Sequence, residues 1–180
     1  MPEPNDKTTA LKNETAEYLF HQGTNFKSFD YLGAHKFGNG FVFRVWAPNA
    51  DGVYLTGDFN GWENNFPMKR ITEGGIWAAY LTPGDCGDVS FGEGSRYKYI
   101  IKNADKSVYK ADPYAFYSET KLNTSSLFCD IENYIWEDDE YMKKRSVLAS
   151  YLAADKSPPL PVNIYEVHLG SWKKHSDVSY

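Results

Sequence analysis

The sequence has few cysteines, no long apolar run and no excess of basic side chains. Its two cysteines, Cys86 and Cys129, have neither a CxxC partner nor a histidine at ligand spacing, so they predict unpaired thiols rather than a disulfide framework or a zinc site. No cofactor or metal is expected.

No run of about 18 apolar residues occurs, which disfavours a membrane span. The first residues lack the basic and apolar segments of a signal peptide, which favours a cytoplasmic location.

Acidic residues outnumber basic ones, giving a formal net charge of -5. Nucleic acid is therefore a disfavoured partner, because a phosphate backbone needs clustered Lys and Arg. The 42% hydrophobic and 24% charged composition indicates a globular chain with one core. Aromatic residues are abundant at 17%. Such rings can fill a β-sandwich core or stand exposed for stacking, and composition alone does not separate the two uses.

Short runs of β-forming residues, separated by Gly, Pro, Asn and Asp, predict an all-β sandwich. Within them, alternation favours Trp46 as a core residue, whereas Trp77 stays ambiguous because the neighbouring Gly74 and Gly75 could expose it. The predicted strands cover residues 41–46, 53–56, 75–81, 96–102 and 127–130.

Two helices and a linker flank these strands. Asn13 is a candidate N-cap for a short helix over residues 14–20, and residues 138–148 have acidic residues early and basic residues late, which suits the helix dipole. The proline-rich residues 157–161 predict an extended linker. The strand-like residues 162–169 are too short to form a domain, so we expect them to be the first strand of a missing one.

Five motifs carry a resemblance to a known family. Arg-Val-Trp-Ala-Pro-Asn-Ala at 44–50 and Val-Tyr-Leu-Thr-Gly-Asp-Phe-Asn-Gly-Trp at 53–62 resemble the family 48 carbohydrate-binding modules that precede α-amylase-type barrels. Tyr-Leu-Gly-Ala-His at 31–35 and Tyr-Glu-Val-His-Leu-Gly-Ser-Trp at 165–172 resemble segments of 1,4-α-glucan branching enzymes, and Asp-Pro-Tyr-Ala at 112–115 fits the same pattern.

The resemblance implies an immunoglobulin-like β-sandwich of the early-set type, with short flanking helices, followed by a linker and the first strand of a truncated (β/α)₈ barrel. The expected organisation is a tail and short helix at 1–24, the carbohydrate-binding sandwich at 25–132, a helix and linker at 133–161, and the start of the barrel at 162–180. The expected partners are α-1,4-glucans, such as glycogen, starch and malto-oligosaccharides, and the missing carboxyl-terminal barrel.

The implied parent enzyme cleaves an α-1,4-glucan and transfers the released chain to a 6-hydroxyl in glycogen biosynthesis. This retaining chemistry needs two carboxylates about 5 Å apart, and in the family both lie downstream in the barrel. The present chain offers one barrel strand at most, so no catalytic residue is assigned and the chain alone is expected to be inactive.

The resemblance also implies a glucan-binding site on the sandwich. Trp62 is the expected stacking ring, and Lys98 corresponds to a lysine of glucan-binding members. The alternatives are that Trp62 caps the sandwich edge and that Lys98 is merely solvated. Ser126 stands where the family has asparagine, and a serine hydroxyl reaches less far than an amide. The candidate site residues are Trp62, Lys98, Tyr109, Leu122, Ser126, Asn60 and Trp77.

Three other functions are compatible with parts of the pattern. One is a non-catalytic glycogen-sensing module, such as the regulatory β subunit of an energy-sensing kinase, but residues 165–172 disfavour it. Another is the corresponding module of a debranching enzyme or a trehalohydrolase. The third is a sandwich that supports the barrel without binding sugar, which predicts an exposed apolar patch.

Overall fold

The computed structural model describes residues 11–120, 123–131, 135–153 and 164–168. The chain forms two compact units, residues 1–133 and residues 134–180. Within the described ranges, no helix is both long and apolar enough to cross a membrane. The first unit contains helix α1 (Glu14–His21) and strands β1 (Gly33–Phe37), β2 (Gly40–Trp46), β3 (Gly52–Gly57), β4 (Phe66–Pro67), β5 (Lys69–Arg70), β6 (Ile76–Leu81), β7 (Arg96–Asn103), β8 (Lys106–Lys110), β9 (Tyr117–Ser118) and β10 (Ser126–Leu127).

The strands form two antiparallel sheets, so the all-β prediction is confirmed. The four-stranded sheet has the order β1-β2-β6-β5, and the six-stranded sheet has the order β4-β3-β7-β10-β9 with β8 also paired to β7. Each of the five predicted strands has a counterpart, although β10 is shorter than predicted and starts one residue earlier. Strand β8 was missed because its five residues are all exposed and include two lysines.

The core lies between the two sheets and is rich in aromatic rings. Phe43 of β2 and Tyr97 of β7 meet edge to face, with ring centroids 5.2 Å apart, and Phe91 packs against both. Phe43 and Leu55 are completely buried, one from each sheet. Much of the high aromatic content therefore fills the core, where each ring removes a large apolar area from water.

A buried polar cluster ties the end of β8 to β7 and β10. Asp112 Oδ2 accepts hydrogen bonds from the hydroxyls of Tyr97 and Tyr99, at 2.8 and 3.0 Å. Its Oδ1 accepts from the Tyr114 backbone, and its own N–H donates to Ser126 Oγ. Burial raises the pKa of Asp112, while these hydrogen bonds to the carboxylate oppose the increase.

Helix α1 covers the outer face of the four-stranded sheet. Asn13 caps it as predicted, with its side chain accepting from Ala16 N at 3.1 Å. Phe20 packs with the cluster around Ile76, which is fully buried. All six residues of β6 are buried, because the core covers one face of this strand and the amino-terminal segment covers the other.

The interpretation of Trp46 as a core residue is wrong, and Trp77 is the core residue of the pair. The strand register pairs Trp77 with Val45, and the Val45 side chain faces the core. It pairs Trp46 with Ile76, and the Ile76 side chain faces away from the core. Trp77 is 8% exposed and donates from Nε1 to Ala47 O, whereas Trp46 is 51% exposed at the end of β2. A stacking contact between Trp77 and sugar is excluded by this burial, so that predicted site residue is wrong.

We expect Trp77→Ala to lower the free energy of unfolding by about 3–5 kcal/mol, the range for deleting a large aromatic side chain from a packed core. Trp46→Ala is the matched control and should cost less than half as much, because half of its surface is already in water. Urea unfolding of both variants measures the difference. Equal losses would contradict the assignment of Trp77 to the core.

The second unit contains helix α2 (Asp139–Ala153), which confirms the predicted helix but continues beyond residue 148. Its acidic residues occupy the first turn, as predicted, but Lys143, Lys144 and Arg145 are not in the last turn because the helix is longer. Residues 164–168 form no strand. The other residues of the predicted barrel strand, and the proline-rich linker at 157–161, lie outside the described residues, so both stay predictions.

Candidate functional site

The outer face of the six-stranded sheet carries several of the predicted site residues. Alternation along β7 sends Tyr97 into the core and turns Lys98 and Ile100 toward the opposite face, where Lys98 is partly exposed and Ile100 is buried by its neighbours. The register places the buried Thr56 of β3 beside Lys98, and the exposed Tyr109 of β8 beside Ile100, on this same face. Outward residues of one strand repeat about every 7 Å. Lys98 and the row that contains Tyr109 are therefore neighbours along the sheet.

Trp62 is held at one end of this face by the turn that follows β3. The turn begins with the 3₁₀ turn Asp58–Asn60 and continues through Gly61 and Trp62, whose backbones are both left-handed, with φ of 63° and 66°. Trp62 N donates to Gly57 O at 3.0 Å, and its indole Nε1 donates to Asp58 Oδ1 at 3.2 Å. The side chain is partly exposed. With its N–H already bonded, the indole offers a ligand mainly its apolar surface.

Asn60 holds this turn together. Its Oδ1 accepts from Gly57 N at 3.0 Å, and its Nδ2 donates to Glu63 O and to Asn65 Oδ1, both at 2.9 Å. Both kinds of hydrogen-bonding group on the amide are thus used within the loop. Asn60 shapes the surface on which Trp62 is displayed, and a direct contact between Asn60 and sugar stays a prediction.

Lys98 is not merely solvated, because its ammonium has a partner. Lys98 Nζ donates to Thr124 Oγ1 at 2.6 Å, and Thr124 is exposed just before β10. The pair places an ammonium and a hydroxyl side by side on the outer face. An ammonium has three donors, so Lys98 retains donors for a ligand while it is bonded to Thr124.

Ser126 cannot act as the predicted polar sugar contact. It is 1% exposed, it lies opposite the inward-facing Tyr97, and its hydroxyl accepts from Asp112 N at 2.8 Å. The prediction for Ser126 is therefore wrong, and Thr124 supplies the hydroxyl beside Lys98 instead. Leu122, the other residue predicted from this part of the chain, lies outside the described residues.

Tyr109 is 55% exposed on β8, so its ring is accessible on the outer face. In the same row across the sheet lies Tyr54 of β3, which faces Ile100 from the other side. The ammonium of Lys102 lies 4.1 Å from the centroid of the Tyr54 ring, a cation–π contact. The outer face therefore combines aromatic surface with ammonium and hydroxyl groups.

Sequence reasoning missed Thr124 and also a shallow pocket next to it. The pocket has a volume of about 250 Å³, and its lining includes Tyr117, Asn123 and Leu127. Tyr117 is 56% exposed. These residues lie on two-residue strands and an irregular loop, where alternation gives no signal, so only the folded chain brings them together.

The electrostatics of this surface depend on an ion pair at the start of β7. Arg96 forms a two-point interaction with Asp58, with Nε–Oδ2 and Nη2–Oδ1 distances of 3.0 and 2.9 Å. Burial raises the pKa of Asp58, but the hydrogen bonds from Arg96 and Trp62 outweigh this effect and hold the pKa below its usual range. In the described part of the chain, no three His, Cys, Asp or Glu residues are grouped as metal ligands. The outer face thus offers aromatic surface together with ammonium and hydroxyl groups, a combination that suits a hydroxyl-rich ligand.

Comparison with known proteins gives a match that covers this sandwich. Residues 31–115 match the family described as carbohydrate-binding module 48 (isoamylase N-terminal domain). The chain is 45% identical over 166 residues to the 1,4-alpha-glucan branching enzyme GlgB of Bacillus subtilis (strain 168), an alignment that covers 89% of this chain and 24% of that relative. It is 42% identical over 168 residues to GlgB of Halothermothrix orenii, covering 91% of this chain and 25% of that relative.

The chain thus spans about a quarter of the length of these curated relatives. Among solved structures, a pullulanase from Anoxybacillus sp. LM18-11 aligns with 69% of this chain and 16% of its own, at 23% identity and a TM-score of 0.47. That structural likeness is too distant to indicate function.

Proposed function

We infer that residues 31–115 form a carbohydrate-binding module 48 domain. From this premise, we propose that the outer face of the six-stranded sheet binds a linear α-1,4-linked glucan. The observation that carries the proposal is the pairing of Lys98 with Thr124 on the face that Trp62 borders. A pyranose presents C–H groups on its faces and hydroxyls at its rim. The indole suits the faces, and the ammonium and hydroxyl suit the rim.

In the longer protein, this module precedes the catalytic part of a 1,4-α-glucan branching enzyme. Relatives at 38–45% identity over most of this chain carry that name, and the chain covers about a quarter of each. The enzyme would cleave α-1,4 linkages and transfer the chain to a 6-hydroxyl, with its catalytic carboxylates outside this chain. Residues 157–161 would be the linker, residues 162–180 would begin the barrel, and the protein would act in the cytoplasm.

Two of the other functions lose support from these observations. The names of the relatives favour a branching enzyme over a debranching enzyme or a trehalohydrolase. The alignment covers about nine-tenths of the chain, which extends beyond residues 31–115 and disfavours a stand-alone glycogen sensor. A module that only supports the barrel remains the alternative that the binding experiment addresses.

Isothermal titration of the chain with maltoheptaose tests the proposal. We expect saturable binding with a Kd of about 10 μM to 1 mM, or roughly 4–7 kcal/mol. Cellohexaose, whose β-1,4-linked chain is straight rather than helical, is the control and should bind much more weakly. Failure of maltoheptaose to bind at millimolar concentration would favour the supporting role.

Lys98→Ala should weaken maltoheptaose binding by about 5- to 10-fold, because it removes a charged hydrogen-bond donor from the rim of the site. The fold should persist, since Lys98 is only partly buried. Lys106→Ala is the matched control, because Lys106 is an exposed lysine of the same sheet whose position on β8 alternates away from Tyr109. Equal affinities of Lys98→Ala and the unmodified chain would remove Lys98 from the site.

A further inference from the structure

Arg96 joins the two loops that carry the proposed glucan contacts. Its Nε and Nη2 bond the carboxylate of Asp58, and its backbone N–H donates to Asp58 Oδ2 at 3.0 Å. Its remaining side-chain nitrogen, Nη1, lies 3.9 Å from Glu119 Oε1. All three guanidinium nitrogens thus face carboxylates of the protein, and the two carboxylates belong to different loops.

On one side, Arg96 acts on Trp62 through Asp58. A tryptophan with φ of 66° occupies a conformation that side chains with a Cβ rarely adopt, and such a conformation persists only where its surroundings hold it. The indole Nε1–H bond to Asp58 Oδ1 is one of these restraints. The bidentate pair with Arg96 bonds both oxygens of that carboxylate, so Arg96 helps to restrain the acceptor and the ring bonded to it.

On the other side, Arg96 acts on the loop that holds Thr124. Glu119 Oε2 accepts from Ser125 N at 3.0 Å, and Glu119 N donates to Ser125 O at 3.0 Å, so the Glu119 side chain and backbone clamp the residue next to Thr124. The Glu119 carboxylate is largely buried, with 14% of the side chain exposed. The loop in turn places the Thr124 hydroxyl against Lys98.

We propose that Arg96 is a positioning residue of the glucan site, which orders Trp62 and Thr124 through Asp58 and Glu119 without itself contacting the sugar. This inference rests on the proposed glucan binding. Its physical basis is pre-organisation, since a ring and a hydroxyl that are already fixed lose less conformational freedom when the ligand binds.

The test compares Arg96→Gln with the unmodified chain in two measurements. Maltoheptaose should bind about 3- to 10-fold more weakly to the variant, the loss expected for releasing one or two ordered side chains. In ¹H–¹⁵N spectra, the indole signal of Trp62, assigned with Trp62→Phe, should move and broaden. Its pH titration should shift to higher pH, because Asp58 loses the arginine that lowers its pKa.

Lys106→Gln is the matched control, since it removes one positive charge from an exposed site on the same sheet. It should leave both the affinity and the Trp62 signal unchanged. Arg96→Lys keeps the charge but cannot make the bidentate pair, so it should give an intermediate affinity. If Arg96→Gln fails to fold, Arg96→Lys and Glu119→Gln carry the same comparison.

The outcomes separate the two proposals. If the unmodified chain does not bind maltoheptaose, the glucan proposal itself fails. If the unmodified chain binds and Arg96→Gln binds equally well, only the positioning role is overturned. A weaker affinity with an unchanged Trp62 titration would also overturn it, because Arg96 would then act on the sugar without acting on Asp58.

Discussion

Trp62→Ala should weaken the binding of maltoheptaose about 60-fold. Stacking on the indole covers about 100 Å² of apolar surface, worth about 2.5 kcal/mol at 25 cal/mol/Å², and each 1.4 kcal/mol is a factor of ten. The fold should be retained, because Asp58 keeps its three hydrogen bonds from Arg96 when the indole is removed. Isothermal titration provides the affinity, and circular dichroism verifies the fold.

Trp46→Ala is the matched control for this variant. Trp46 is another tryptophan with exposed surface, but it lies at the end of β2 in the four-stranded sheet, where Phe20 packs against it. Its removal should leave the affinity within a factor of two. Trp62→Phe keeps a smaller ring and should fall between the two. If Trp62→Ala and Trp46→Ala lost affinity equally, the loss would reflect general weakening of the domain and the stacking role would be rejected.

Asp112→Ala should lower the free energy of unfolding by about 3–5 kcal/mol, because it leaves three donors without an acceptor and each orphaned buried donor costs about 1–3 kcal/mol. The substitution leaves the hydroxyls of Tyr97 and Tyr99 and the backbone N–H of Tyr114 without the acceptor they share. Both tyrosines are almost wholly buried, so water cannot replace the carboxylate freely. Urea unfolding measures the loss.

Two further variants separate the hydrogen bonds from the packing. Adding Tyr97→Phe and Tyr99→Phe to Asp112→Ala removes the two hydroxyl donors that have lost their acceptor. This should restore part of the lost stability, and a mutant cycle measures how much. Asp105→Ala, on the exposed β7–β8 turn, should have little effect. A loss below about 1 kcal/mol for Asp112→Ala would mean that the hydroxyls find other partners, contrary to the typical cost of orphaned buried donors.

The local parts of the fold and of the site could be predicted, and the parts that depend on register could not. The Asn13 cap and the turn before Trp62 each follow from a few adjacent residues, whose hydrogen bonds are short-range. The inward side of a strand, in contrast, depends on its neighbours. Trp46 and Trp77 both stand in alternating sequences, and only the pairing of Val45 with Trp77 decides which one faces the core.

The site shows the same division. Lys98 was implied by the family resemblance, and alternation along β7 accounts for its outward direction, since it lies between two tyrosines of the core. Its partner Thr124 is 26 residues away in an irregular loop, so no periodicity connects them. Ser126 was implied by the resemblance as the counterpart of the family's asparagine, but its register opposite Tyr97 turns it inward. Such errors are expected in a two-residue strand, which is too short to show an alternating pattern of buried and exposed residues.

The packing of helix α1 has a consequence for how the module would behave on a branched polymer. Among the described residues, α1 and the core bury both faces of β6, so the proposed glucan contacts lie on the opposite, six-stranded sheet. If this face is the glucan site, the described part of the module would hold one glucan chain at a time. Its residence on a branched polymer would then come from repeated rebinding to neighbouring chains, whose local concentration is high, instead of from simultaneous attachment at two sites.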